Sequence, residues 1–172
     1  MESELRSFAL DELIGHSIES EEASRRFYSQ FVEAGIGRLV TERFEGLMTD
    51  EELHKEVLLG LHEDLYGDRD YLTPESDDLP PHEDFESLED VENLIDALEK
   101  AMINENNAIR VYEYLSEEYE EYSEVFGYLA AMEHGHYESL KQEKKLYERV
   151  PGDEESGTGD SHFWKWLGLE GI

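Results

Sequence analysis

Near the middle of each of four amphipathic segments, a glutamate occupies a position where the apolar stripe calls for an aliphatic side chain. Steps of 3 and 4 residues along the inward face give Leu10, Ile14, Ser17, Glu21, Ser24, Tyr28 and Phe31 in the first segment. The second gives Val40, Phe44, Leu47, Glu51, His54, Leu58, Leu61 and Leu65. The third gives Val91, Leu94, Leu98, Ala101, Glu105, Ala108, Tyr112, Leu115 and Tyr119, and the fourth Tyr122, Phe126, Leu129, Glu133, His136 and Leu140. The helical period persists throughout, and no β-branched alternation is long enough for a sheet, so the chain reads as an all-α four-helix bundle. In such a bundle the four glutamates lie in the interior. Ionised carboxylates in a low-dielectric core are costly singly and repel one another, so only cations or protons can settle them.

Two of the four have a histidine three residues later, Glu51 with His54 and Glu133 with His136, about one turn along the same face. Four carboxylates and two neutral imidazoles match two divalent cations, leaving a nearly neutral ligand shell. Oxygen-rich ligation with two imidazoles fits iron, with manganese as the alternative, whereas a structural zinc site is usually tetrahedral and often rich in thiolates. Repetition strengthens the pattern. Glu21 precedes Tyr28 by seven residues and Glu51 by thirty; Glu105 precedes Tyr112 by seven and Glu133 by twenty-eight. The chain reads as one helical hairpin written twice. Tyr28 and Tyr112 lie two turns from their own glutamates, placed for a hydroxyl to hydrogen-bond a ligand on a neighbouring helix. His134 falls off the inward face and reads as exposed or interfacial, and His16, His62, His82 and His162 read as surface residues.

The first helix is expected over about Ser3 to Ala34, closed by Gly35 and Gly37, and the second over about Arg38 to Tyr66. Residues 67–86 hold Pro74, Pro80 and Pro81 and read as irregular chain. Twenty extended residues reach roughly 66 Å, enough to travel the length of a bundle, which makes this segment a crossover. The third helix is expected from Ser87 to Glu118 and the fourth from Tyr122 to Arg149. Residues 1–150 thus form the bundle. Residues 151–172 read as a flexible acidic linker ending in Phe163, Trp164, Trp166, Leu167, Leu169 and Ile172. Such a tail is expected to dock on its own bundle, on the mate in a homodimer, or on another protein such as a shell.

A formal net charge of −31, from 45 acidic against 14 basic residues, excludes nucleic-acid binding as a main function. It fits either the polar faces of helices or a high-salt habitat. With no cysteine, thiolate metal sites and a Cys nucleophile are excluded. The apolar runs are too short for a membrane span and the N-terminus lacks a signal pattern, so the expectation is a soluble cytoplasmic protein with no membrane partner.

Taken together, Glu21-x6-Tyr28, Glu51-Glu-Leu-His54, Glu105-x6-Tyr112 and Glu133-His-Gly-His136 resemble the rubrerythrin branch of the ferritin-like superfamily, over about residues 10–147. The resemblance implies a left-handed bundle with a long crossover between helices 2 and 3. It also implies a non-haem centre of two iron ions that reacts with O2 or H2O2. Glu21, Glu51, His54, Glu105, Glu133 and His136 would be the metal-binding and catalytic residues, with Tyr28 and Tyr112 behind them. The implied activity is a ferroxidase or peroxidase. A ferroxidase held in a protein shell by the C-terminal tail is one alternative, and a non-catalytic module stabilised by its metals is another. Full-length rubrerythrins carry a rubredoxin module with Cys-x-x-Cys pairs; with no cysteine in this sequence that electron-entry port is not expected here, and the electron donor is unknown. Many also place an extra carboxylate on helix 3 where this chain has Ala108.

Overall fold

The computed structural model describes residues 2–35, 37–74, 76–84 and 91–149. Its helices, in chain order, are α1 (Glu2–Leu5), α2 (Leu10–Ala34), α3 (Arg38–Tyr66), α4 (Val91–Glu118) and α5 (Ser123–Tyr147). No strand occurs among the described residues. The expected first helix from Ser3 is divided: Ala9 is extended, and its N–H donates to the Glu12 carboxylate at 2.8 Å, so α2 starts afresh at Leu10. Likewise a 3₁₀ turn, Glu120–Tyr122, precedes α5, which starts one residue later than expected. The expected start of the third helix at Ser87 and the tail at 151–172 lie outside the described residues.

Hairpin α2–α3 reverses at Gly35, whose φ of 62° is the left-handed conformation that a residue without Cβ adopts at least cost. Hairpin α4–α5 reverses through the 3₁₀ turn. The two hairpins bury two apolar clusters. One contains Phe27, Phe31, Phe44, Leu94, Leu98 and Leu140. The other contains Leu13, Ile18, Leu58, Leu115, Phe126 and Leu129. Along every long helix the change from one cluster to the other falls at the acidic residue, so Glu21, Glu51, Glu105 and Glu133 form a polar layer between two apolar slabs. Phe31 and Phe44, stacked at 4.0 Å between ring centroids, close the slab nearer the α2–α3 turn.

The crossover is laid against the bundle. A Cβ at Gly15 would stand 1.8 Å from the Leu72 carbonyl oxygen, so α2 and the crossover backbone touch there only because residue 15 lacks a side chain. Further on, buried Asn104 of α4 accepts the Glu83 N–H at 2.7 Å and donates to the Glu83 carbonyl at 2.9 Å. The segment therefore runs along the bundle from the end of α3 towards the start of α4.

His62 is a correction to the surface reading. It is buried, with Nε2 2.9 Å from an Asp11 carboxylate oxygen and Nδ1 2.8 Å from the Asp68 carbonyl. Both partners only accept, so the ring carries both protons as a cation. Burial opposes that charge, and the Asp68 carbonyl and Asp11 outweigh it, raising its pKa. The imidazolium ties the start of α2 to the end of α3. His16 and His82 are half-buried rather than on the surface, and burial lowers both pKa values. His134 is exposed, and His162 lies outside the described residues.

Candidate metal centre

Glu21 comes from α2, Glu51 and His54 from α3, Glu105 from α4, and Glu133 and His136 from α5. All six are at most 5 % exposed. The fold thus places four carboxylates and two imidazoles in one water-excluded layer. One ligand-type atom from each of Glu51, His54, Glu133 and His136 lies within 4.8 Å of all the others.

The arrangement is crossed. Glu51 turns one oxygen to His54 Nδ1 at 3.6 Å and the other to His136 Nδ1 at 3.2 Å. Glu133 does the same, at 2.7 Å to His54 and 3.0 Å to His136. Each of these two carboxylates therefore spans both imidazoles. The rings stack, with centroids 5.4 Å apart. Glu21 and Glu105 each serve one side: Glu21 Oε2 lies 3.6 Å from His54 Nδ1, and Glu105 Oε2 lies 3.6 Å from His136 Nδ1. Their other oxygens accept from tyrosines across the bundle, Glu21 from Tyr112 and Glu105 from Tyr28. Each outer carboxylate thus has one oxygen fixed by a phenol and one aimed inward.

Several of these atoms are buried with no hydrogen-bond partner: Glu51 Oε1, Glu133 Oε1, and Nδ1 and Nε2 of His54. Donors and acceptors left unmatched in a dry interior are destabilising. Atoms that converge without hydrogen-bond alignment are arranged as ligands are around an ion, so the donor set fits divalent cations on a structural observation.

Electrostatics point the same way. Burial first, then Glu133 and Glu21, push the Glu51 carboxyl well above its ordinary range. Burial and Glu133 raise Glu105 to about 8. Burial opposes charge on His54, yet the close carboxylates of Glu133, Glu21 and Glu51 outweigh it and push the ring up to about 12. His136 is raised in the same way. Glu133 moves down: burial and Glu21 push it up, but Glu105, His136 and His54 hold it ionised. Tyr28 and Tyr112 are raised by burial and by the neighbouring glutamates, which keeps both phenols as donors. Without cations, Glu51, Glu105 and the two imidazoles hold protons while Glu133 stays ionised, and metal binding would release those protons.

Bundle register did not reveal Asp50, whose carboxylate stands 3.4 Å from His136 Nε2 without hydrogen-bond alignment. It precedes Glu51 and points about 100° away on α3, so the contact depends on how α3 is rotated against α5. No sequence spacing encodes that.

A family model described as Rubrerythrin matches residues 12–144. A solved structure, the hypothetical protein Pfu-1136390-001 from Pyrococcus furiosus, is similar with a TM-score of 0.76 and 29 % identity. The match covers 85 % of this chain and 94 % of that one. No curated protein matches the chain.

Proposed function

The chain belongs to the rubrerythrin family, and on that premise we propose that it is a non-haem di-iron oxidoreductase that oxidises Fe(II) with O2 or H2O2. The observation that carries this reading is the crossed pair of Glu51 and Glu133, each turning its two oxygens to different imidazoles. Such a pair suits two cations, one beside each histidine. Glu21 and His54 would hold one, Glu105 and His136 the other, with Glu51 and Glu133 between them. Their charges balance four carboxylates, and oxygen-rich ligation favours iron, with manganese as the alternative.

When bound, the two Fe(II) ions supply the two electrons that one molecule of oxidant takes up. The chain's own residues do the rest. Tyr112 and Tyr28 hold one oxygen each of Glu21 and Glu105, which fixes the direction of the inward oxygen. The two apolar slabs keep bulk water from the layer. Asp50 places a negative charge on the outer side of His136, favouring an N–H at Nε2 and a free lone pair at Nδ1.

The test is anaerobic titration with Fe(II) followed by O2 or H2O2, read by absorbance and metal analysis. About two irons per chain are expected, with oxidation faster than in buffer. A different stoichiometry, or oxidation no faster than in buffer, defeats the proposal. Tight binding and a metal-dependent rise in Tm with no oxidation would identify a structural metal module instead.

A further inference from the structure

All six residues of the polar layer are at most 5 % exposed, and apolar slabs close it on two sides, so an oxidant needs a route. One wall offers it. Ser17, one turn before Glu21 on α2, is 3 % exposed, and its Oγ has no hydrogen-bond partner. It lines a small pocket with Ser20, Pro80, Ala108, Val111 and Tyr112. The pocket volume of about 10 Å³ admits about one water-sized molecule. Its floor is Tyr112, the residue that donates to Glu21. Its outer wall is shared: His16, Ser20 and Pro80 also line an open cleft between α2 and the crossover, near Pro74, Asp77 and Leu79. Cleft, pocket, Tyr112 and Glu21 therefore follow one another from solvent to the polar layer.

A buried hydroxyl without a partner is destabilising unless a visiting molecule satisfies it. O2 is apolar and gains little from such a group. A small neutral hydroxylic molecule can both donate to Ser17 Oγ and accept from it, and hydrogen peroxide is the oxidant of that kind. We propose that this pocket is the port by which hydrogen peroxide reaches the carboxylate side of the centre, with Ser17 Oγ as its hydrogen-bonding waypoint. The proposal rests on the reading of the centre as an oxidant-consuming one.

Two measurements on the full chain test it. The chain has no cysteine, so S17C introduces a single thiol. With methyl methanethiosulfonate followed by mass spectrometry, S17C is expected to label, and the double variant S17C/A108L, with the pocket filled, to label at least about tenfold more slowly. Separately, A108L in the iron-loaded protein is expected to keep about two irons and to lower the second-order rate constant for peroxide by about tenfold, while S17A lowers it for peroxide more than for O2. Labelling of S17C that is absent, or undiminished by A108L, overturns the port, as does a peroxide rate unchanged by A108L. The two failures differ. If the unaltered protein consumes peroxide at a rate A108L does not change, the centre stands and the port falls. If it consumes no oxidant while S17C labels and A108L protects, the functional reading falls and the port falls with it.

Discussion

Hairpin α2–α3 and hairpin α4–α5 carry the same chemistry on different supports. Glu21, Tyr28, Glu51 and His54 in the first correspond to Glu105, Tyr112, Glu133 and His136 in the second, and each tyrosine serves the other hairpin's glutamate. Around that repeat the halves diverge. In the position corresponding to Ser17, with its orphan hydroxyl, α4 has fully buried Ala101. In the position corresponding to Asp50, beside His136, α5 has Met132, so the outer nitrogen of His54 meets no carboxylate there. The polar layer is therefore nearly two-fold, but its surroundings are not. On the proposed reading, binding of two ions would draw on the repeated residues, whereas access and tuning would fall to the unrepeated ones.

The most direct way to break this comparison is to remove one spanning carboxylate at a time. Glu51→Ala and Glu133→Ala each take away oxygens that face both imidazoles. Each is expected to lower metal content from about two ions per chain to below one, in line with the ten- to hundredfold affinity losses that follow changes even behind a ligand. Metal analysis after desalting reads this out. Similar losses would show the repeat to be functional on both sides; loss from one variant alone would show that the likeness of the halves is not matched in binding.

Much of this was legible in the chain. Four helices, the long connection and the acidic layer follow from period and register, because burial on one helix face is a property of single-helix spacing. The rotation of one helix against another is not. That is why Asp50 beside His136, and the empty space over Ser17 and Ala108, appear only in the folded chain. His62 was misread for a related reason: its partners, Asp11 and the Asp68 carbonyl, lie on separate segments, and without them a buried imidazolium has no rationale. The start of α2 escaped because its cap is Glu12 reaching back to the Ala9 N–H, with no Ser, Thr, Asp or Asn at the cap itself.

A smaller effect sharpens the comparison. Tyr28→Phe leaves a buried oxygen of Glu105 without its donor, and Tyr112→Phe does the same to Glu21. Each is expected to cost about 1–3 kcal/mol in urea unfolding of the metal-free protein. Near-equal costs are the signature of exchanged, equivalent hydrogen bonds. If Tyr112→Phe is clearly the milder change, water in the adjoining pocket has taken the phenol's place at Glu21.

The smallest effect concerns a feature that only the first hairpin has. Glu22 accepts from Arg25 at 2.8 Å and from Lys55 at 2.9 Å, linking α2 to α3. The corresponding positions of α4 and α5 hold Asn106, Ile109 and Tyr137, so that pair of helices has no such link there. The Arg25 hydrogen bond first, with Lys55 adding to it, holds the Glu22 carboxyl at about 2, against 4.5 ordinarily. A lowered folded-state pKa means that the stabilisation is complete above the ordinary value and is lost as pH falls from about 4.5 towards 2. Glu22 keeps about one-fifth of its side-chain surface in water, so screening limits the effect. Glu22→Gln is therefore expected to cost only about 0.2–1 kcal/mol at pH 7. Urea midpoints of the two proteins should converge as pH falls through that window, and a difference that persists at its acid end would mean that Glu22 acts through packing rather than charge.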